Sequence, residues 1–225
     1  MKLETVSGNF VDIENPDPQT IKINDIAWAL SRIPRFAGHT ISAIPFTVGE
    51  HSIFVANIVK RLISDETFFT NWYKDIFKEF NFIDYPPKNL EIINQYFKSD
   101  ELIIKALLHD AAEVFSGDIP SPLKHQKELK PILKRIEDNL MEAIYIATNI
   151  TPPSKFETCI IKFADKIAQK IEAHTFMTSR GKDWPNLPEV SIIDLQNFST
   201  PKTAIESYSS FLEMFNEYKL KLNNE

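Results

Sequence analysis

Apolar residues recur at intervals of three and four along most of this 225-residue chain, which is the spacing of an α-helix. Four such stripes are Ile23, Ile26, Leu30 and Ile33; Phe54, Val55, Ile58, Val59 and Leu62; Leu129, Ile132, Leu133, Ile136, Leu140, Ala143, Ile144 and Ala147; and Ile205, Tyr208, Phe211, Leu212 and Phe215. Only five Gly accompany seventeen Phe, which argues against a glycine-rich β protein or a phosphate loop. We therefore predict an all-α fold of roughly seven to nine helices in a single domain over residues 1–225.

Several helix boundaries can be predicted from capping and proline residues. Thr47-Val48-Gly49-Glu50 has the form of a capping box, so a helix begins there and places His51 in its first turn. Another helix is predicted from about Ser99 to Phe115. Residues 1–20 read as an irregular segment, because the two prolines in Asn15-Pro16-Asp17-Pro18 favour turns. Residues 65–98 form an aromatic-rich insertion, interpreted as short helices with a loop.

The net charge and the cysteine content indicate which binding partners and which cellular compartment to expect. The net charge is −6 and no run of Lys or Arg is present, so a nucleic-acid polymer is not an expected partner, whereas a small nucleotide needs only a local cationic pocket. The lone Cys159 cannot form an internal disulfide and fits a reducing compartment. No signal peptide, membrane span or lipidation motif is visible, so we expect a cytoplasmic protein without a membrane partner.

His109 and Asp110 interrupt the apolar run Ala106-Leu107-Leu108 … Ala111-Ala112. An ionised carboxylate in apolar surroundings requires a partner charge or a metal, and Lys105 points elsewhere by helical phase. A bound cation is the simplest explanation. His51 and Asp165 also lie on apolar helices, and together the four side chains make a plausible nitrogen and oxygen ligand set.

A mixed set of this kind suits Mn, Fe, Co, Ni or Zn, and less well Mg, so the identity of the divalent metal stays open. Glu113 follows His109 by four residues and Asp110 by three, which places it on the same side of the predicted helix. We therefore take Glu113 as the candidate for orienting or deprotonating an attacking water.

Four longer runs carry a specific resemblance: Arg35-Phe36-Ala37-Gly38-His39-Thr40, Val48-Gly49-Glu50-His51-Ser52, Leu108-His109-Asp110-Ala111-Ala112-Glu113, and Gly117-Asp118-Ile119-Pro120-Ser121-Pro122-Leu123-Lys124. In this order they resemble the HD superfamily of metal-dependent phosphohydrolases, which are all-helical. They are most similar to the branch that contains bacterial 5′-deoxynucleotidases and phage deoxynucleoside triphosphate hydrolases acting on dATP. The resemblance implies a single HD-domain helical bundle.

The resemblance also implies roles for individual residues. His51, His109, Asp110 and Asp165 would ligate the metal, and Glu113 with Asp118 would manage the nucleophilic water. Arg35 and Lys124 stand where the branch places cationic contacts to the substrate phosphate. The separation between His51 and His109 is longer than in shorter family members, and the aromatic-rich insertion occupies it. A homo-oligomer is an expectation from the same resemblance.

Two aromatic residues near Arg35 are candidates for contact with the substrate. Trp28 shares a face with Arg32 and Arg35 if the helix from Asn24 persists that far, and its ring would then stack on a base or sugar. Packing against another helix or subunit is the equal alternative. Phe36 has the same ambiguity.

The function favoured by these residues is removal of phosphate from deoxynucleoside monophosphates, a 5′-deoxynucleotidase-like reaction. The alternative is a deoxynucleoside triphosphate triphosphohydrolase that releases triphosphate, since both would use the same metal ligands. More distant alternatives are a cyclic-nucleotide or guanosine-tetraphosphate hydrolase and a non-catalytic nucleotide sensor. In each case the partner is a small-molecule nucleotide.

Overall fold

The computed structural model describes residues 2–64, 100–182, 184, 187–188 and 201–224. This part of the chain is mostly helical, as the apolar spacing predicts. Its eight α-helices are α1 (Ile23–Leu30), α2 (Val48–Ser64), α3 (Asp100–Leu107), α4 (Glu113–Ser116), α5 (Ser121–Lys124), α6 (Lys130–Thr148), α7 (Lys155–Phe176) and α8 (Ala204–Leu222). The predicted aromatic-rich insertion at 65–98 lies outside the described residues. No helix within them is long and apolar enough to cross a bilayer.

The prediction that residues 1–20 are irregular holds for 13–17 but is wrong for the hairpin that precedes them. Strand β1 (Lys2–Glu4) pairs antiparallel with β2 (Phe10–Asp12), and a 3₁₀ turn covers Pro18–Thr20. The hairpin closes through Gly8, whose positive φ of 79° is accessible to glycine without strain, and Val11 is fully buried against the core. Strands of three residues are too short for an alternating pattern to be recognised, which explains the error.

Helix α2 lies at the centre of the core, where it packs against α3, α7 and α8, while α1 packs on α8. Its start confirms the predicted capping box, because Glu50 Oε2 accepts the Thr47 backbone N–H at 3.0 Å and Thr47 Oγ1 accepts the Glu50 N–H at 3.3 Å. Equivalent boxes begin α7 at Ser154 and α8 at Thr203. Side chains from α1, α2, α3, α7 and α8 form one continuous apolar core.

The predicted helix over residues 99–115 is interrupted. Helix α3 ends at Leu107, and the next helix, α4, begins at Glu113, so His109 and Asp110 lie in the turn between them and not in mid-helix. Within this turn the backbone bonds step back three residues, as in Ala111 N–H to the Leu108 carbonyl at 2.9 Å. Because of this turn, His109 and Asp110 are not part of the continuous apolar helix that the sequence predicted.

The first half of α6 is another departure from the predicted core. Leu129, which immediately precedes α6, and Ile132 are 37% and 50% exposed, although their spacing matches the buried Leu140 and Ile144 later in the same stripe. The apolar stripe correctly predicts which face of α6 contacts the core. Within the described residues, only the second half of the helix is buried there.

Candidate metal centre

His51, His109 and Asp110 come together from distant parts of the sequence. His51 lies in the first turn of α2 and is fully buried, whereas His109 and Asp110 lie in the turn after α3. The Nε2 atoms of His51 and His109 are 3.5 and 3.3 Å from Asp110 Oδ2. One ligand atom from each of the three residues lies within 4.8 Å of the others, an arrangement that could hold a metal ion.

The predicted fourth ligand, Asp165 of α7, joins this cluster through His51. Its Oδ1 is 3.1 Å from His51 Nε2, and its side chain remains 38% exposed. The described structure thus places all four predicted ligands together, from α2, the turn after α3, and α7.

The donor set fits a divalent cation. Each imidazole donates its Nδ1–H to an oxygen, His51 to Glu172 Oε1 at 2.6 Å and His109 to the Ala106 carbonyl at 2.8 Å. Both Nε2 atoms are buried and make no well-oriented hydrogen bond within the described residues, although Asp165 Oδ1 lies 3.1 Å from one and Asp110 Oδ2 3.3 Å from the other. Metal-binding histidines usually have one nitrogen anchored in this way and the other directed to the ion, so these two Nε2 atoms match a metal centre.

Glu172 contacts two of the predicted site residues but was not itself predicted from the sequence. It is fully buried in α7, where its two oxygens contact His51 Nδ1 and, at 3.4 Å, Arg35 Nη2. A signal was available: Glu172 follows Asp165 by seven residues, two helical turns, and stands between Ile171 and Ala173. Because Glu172 has the same helical phase as the predicted ligand Asp165, it is expected to face the same site.

Arg35 is predicted to bind phosphate, and the structure buries it beside the metal ligands. Its guanidinium contacts Glu172 at 3.4 Å and Asp110 at 3.7 Å. Burial alone would lower the pKa of Arg35, but Glu172 and Asp110 outweigh it and raise the pKa above its usual value. Arg35 is therefore a fixed positive charge at the edge of the cluster.

The backbone after Arg35 is strained. Phe36 and Ala37 have positive φ values of 55° and 51°, and this left-handed conformation is uncommon outside glycine. Asp118 Oδ2 accepts the Phe36 N–H at 3.2 Å, and the Phe36 ring packs edge-on against Trp184, with centroids 5.6 Å apart. Two predicted site residues, Asp118 and Phe36, thus make contacts that stabilise the turn Arg35–Gly38.

Glu113 and Lys124 form an ion pair beside the cluster. Lys124 Nζ donates to Glu113 Oε1 at 2.7 Å, while the buried Glu113 Oε2 has no hydrogen-bond partner within the described residues. Burial against apolar side chains such as Leu133, together with the nearby Asp110, outweighs Lys124 and raises the pKa of Glu113 to about 8. The carboxyl is therefore a group that can exchange a proton near neutral pH.

The charges of the cluster depend on one another. Burial and Arg35 oppose protonation of His51, but Glu172 and Asp165 outweigh them and raise the pKa of His51 to about 10. Burial alone would raise the pKa of Asp110, yet His109, His51 and Arg35 hold it well below its usual range. The carboxylates thus attract positive charge to the centre, and a proton on His51 would compete with a metal for Nε2.

Trp28 is not brought to this cluster by any contact that the structure describes. Helix α1 ends at Leu30, so the helical phase assumed for Trp28, Arg32 and Arg35 does not persist to Arg35. The Trp28 ring packs edge-on against Tyr208 of α8 at 5.4 Å, and the Arg32 guanidinium stacks on it at 3.5 Å. This geometry matches the packing alternative.

A family model for YfbR-like 5′-deoxynucleotidases matches residues 89–215. The match covers more than half of the chain and includes His109, Asp110, Glu113 and Asp165. The chain belongs to this family, and it is therefore an enzyme, a metal-dependent nucleotide phosphohydrolase. Membership confirms the HD resemblance, and the matched residues include two of the four sequence runs, those that begin at Leu108 and Gly117.

Individual relatives are similar over most of the chain. The uncharacterised protein YfdR of Escherichia coli is 27% identical over 215 residues, which cover 96% of this chain and 94% of that protein. An uncharacterised protein of Rhodobacter capsulatus is 25% identical over 170 residues, 75% of this chain and 69% of that protein. Among solved structures, the cyanophage S-2L HD phosphohydrolase DatZ, bound to dA and one catalytic Zn²⁺ ion, matches with a TM-score of 0.43 and 18% identity over 88% of this chain and 98% of that one.

Proposed function

We propose that this protein removes the phosphate from deoxynucleoside 5′-monophosphates with the help of one divalent metal ion. The observation that carries the proposal is the pair of buried Nε2 atoms of His51 and His109, which face Asp110 and make no well-oriented hydrogen bond within the described residues. Asp165 completes the ligand set. A metal held by these four residues would polarise a phosphoryl oxygen and lower the pKa of its water.

The side chains around the ligands support a hydrolytic role. Glu113 Oε2 has no hydrogen-bond partner among the described residues and would accept the proton of the attacking water, while Lys124 fixes the orientation of the same carboxyl through Oε1. Arg35 offers its guanidinium to the phosphate oxygens as they gain charge. Asp118 holds the Arg35–Gly38 turn through the Phe36 N–H, and we retain it as a second carboxylate that handles the water.

The cations that the described residues place at the cluster match the charge of a monophosphate. Arg35 and Lys124 are the cations that the described residues bring to the cluster, and both already pair with carboxylates there. A phosphate monoester carries a charge of about −1.5 to −2 at pH 7, which the metal and these two side chains can balance. A triphosphate would require further positive groups along its length. The family match, whose model is named for 5′-deoxynucleotidases, supports the same choice.

Product analysis tests the proposal. The purified protein is supplied in turn with Mn²⁺, Co²⁺, Zn²⁺ or Mg²⁺ and with each deoxynucleoside mono-, di- and triphosphate, and the products are followed by ³¹P NMR. We expect orthophosphate from monophosphates, with no turnover in the Asp110→Asn variant. Tripolyphosphate released from triphosphates would instead identify a triphosphohydrolase, and turnover that survives Asp110→Asn would contradict the metal-dependent mechanism.

A further inference from the structure

Glu172 joins two functional groups that lie on different elements. One carboxylate oxygen accepts the His51 Nδ1–H at 2.6 Å, and the other accepts from Arg35 Nη2 at 3.4 Å. The contacts link α7 to α2 and to the 3₁₀ turn Arg35–Gly38. A single buried side chain thus touches both a metal ligand and the cation next to the ligands.

The burial of Glu172 indicates that these two contacts are specific. The residue has no exposed surface, and an unpaired carboxylate at such a position would be strongly destabilising. Within the described residues, His51 and Arg35 are the partners that the structure gives it. Because a carboxylate can only accept hydrogen bonds, it dictates that His51 carries its proton on Nδ1 and directs Nε2 toward Asp110 and Asp165.

We propose that Glu172 is a positioning residue, which sets the ring orientation and tautomer of His51 for the metal and holds Arg35 beside the phosphate site at the same time. The inference rests on the proposed metal centre and adds a residue to it that ligates nothing itself. Loss of an equivalent partner typically weakens metal affinity by about 10- to 100-fold. Arg35 would lose one of its two carboxylate contacts in the same step.

Glu172→Gln is the sharpest test, because the amide has nearly the same shape. Its single oxygen cannot accept from both His51 and Arg35, so its NH₂ group must face one of the two donors. We expect the dissociation constant for Zn²⁺, measured by chelator competition in the absence of substrate, to rise by about 10- to 100-fold. The matched control is Glu157→Gln on the same helix, where the carboxylate pairs with Lys105 outside the cluster, and there we expect wild-type zinc affinity.

The outcomes separate this inference from the proposed function. If the wild-type protein binds Zn²⁺ and Glu172→Gln binds it equally well, the positioning role is wrong and the metal centre stands. If the wild-type protein binds no divalent metal, both are overturned.

A measurement on the wild-type protein does not depend on the variant folding. In the zinc-loaded protein, ¹⁵N NMR of His51 should show zinc on Nε2 and a slowly exchanging proton on Nδ1. Zinc on Nδ1, or an Nδ1 proton in rapid exchange with solvent, would overturn the positioning role.

Discussion

At the scale of single residues, the chemistry of the centre depends on which atoms remain without partners. Within the described residues, His51, His109 and Glu113 each have one polar atom in a hydrogen bond and another, buried polar atom without a well-oriented one. An engaged atom fixes the side chain, and the free atom is then presented to an ion or a water molecule. Buried polar atoms without hydrogen bonds are unfavourable in a folded protein, and they are typical of sites that bind an ion or a ligand.

Glu113→Gln should retain the metal and lose most of its turnover, since the amide cannot accept a proton from water. We expect kcat to fall by about 100-fold or more. In the wild-type protein activity should fall as the pH drops below the pKa of Glu113, because only the ionised carboxylate is a base. That pKa is raised to about 8 without an added cation, and a bound metal ion lowers it, so the metal-loaded enzyme should lose activity over a pH range that lies below 8.

A pH–rate profile and a metal analysis of both proteins check this expectation. The rising limb should be absent from the Glu113→Gln profile, while its metal content equals that of the wild type. Glu142→Gln, which alters an exposed carboxylate of α6, is the control. A variant at Glu113 with wild-type kcat would exclude the residue as the base.

At the scale of elements, the centre depends on how closely helix ends approach one another. The first turn of α2 carries His51, and Gly49 lies in the same turn between the end of α1 and the beginning of α8. A Cβ on Gly49 would lie 2.9 Å from Ser207 Oγ and 3.2 Å from the backbone carbonyl carbon of Leu30. The absence of a side chain there allows α1, α2 and α8 to meet.

Gly49→Ala should therefore destabilise the fold despite the better helix propensity of alanine. Propensity favours the substitution by up to about 1 kcal/mol, whereas overpacking typically costs about 1–3 kcal/mol, so we expect a net loss of about 1–2 kcal/mol. Urea unfolding followed by circular dichroism measures the difference. Asn57→Ala, an exposed position on the same helix, should change the free energy of unfolding by less than about 0.5 kcal/mol. Equal or greater stability of Gly49→Ala would mean that these helices are not in close contact.

At the scale of the whole molecule, a metal ion would cross-link segments far apart in the sequence. His51 belongs to α2, Asp110 to the turn after α3, and Asp165 to α7, and α2 packs against both α3 and α7. An ion that binds only the folded arrangement stabilises all of these contacts together. The homo-oligomer expected from the family resemblance remains a prediction at this scale.

Addition of a divalent metal should raise the melting temperature. At a free metal concentration of 100 times Kd the gain is about 2.7 kcal/mol, which corresponds to roughly 5–10 °C for a chain of this size. Differential scanning calorimetry with Mn²⁺ or Zn²⁺, followed by excess EDTA, should show the rise and its reversal. Asp110→Ala should show no rise, and an equal rise in that variant would place the stabilising ion elsewhere.

The sequence by itself determined the helical class and the capping box at Thr47 and Glu50, because both depend on local spacing. The resemblance of its motifs to the HD superfamily supplied the four candidate ligands, whose side chains the structure places close together. It did not determine the hairpin at Lys2–Asp12, since three-residue strands have no readable period. The break after Leu107 was also hidden, because an apolar run continues through the turn that aims His109 and Asp110 at the centre.

The partners of the charged groups were decided only by the tertiary structure. The pairing of Glu172 with His51 spans 121 residues and that with Arg35 spans 137, and no local pattern specifies contacts at such separations. The same holds for Trp28, whose placement against Tyr208 depended on where α1 ends and α8 packs. The local sequence identifies which side chains need a partner. The identity of the partner depends on which helices pack together in the folded protein.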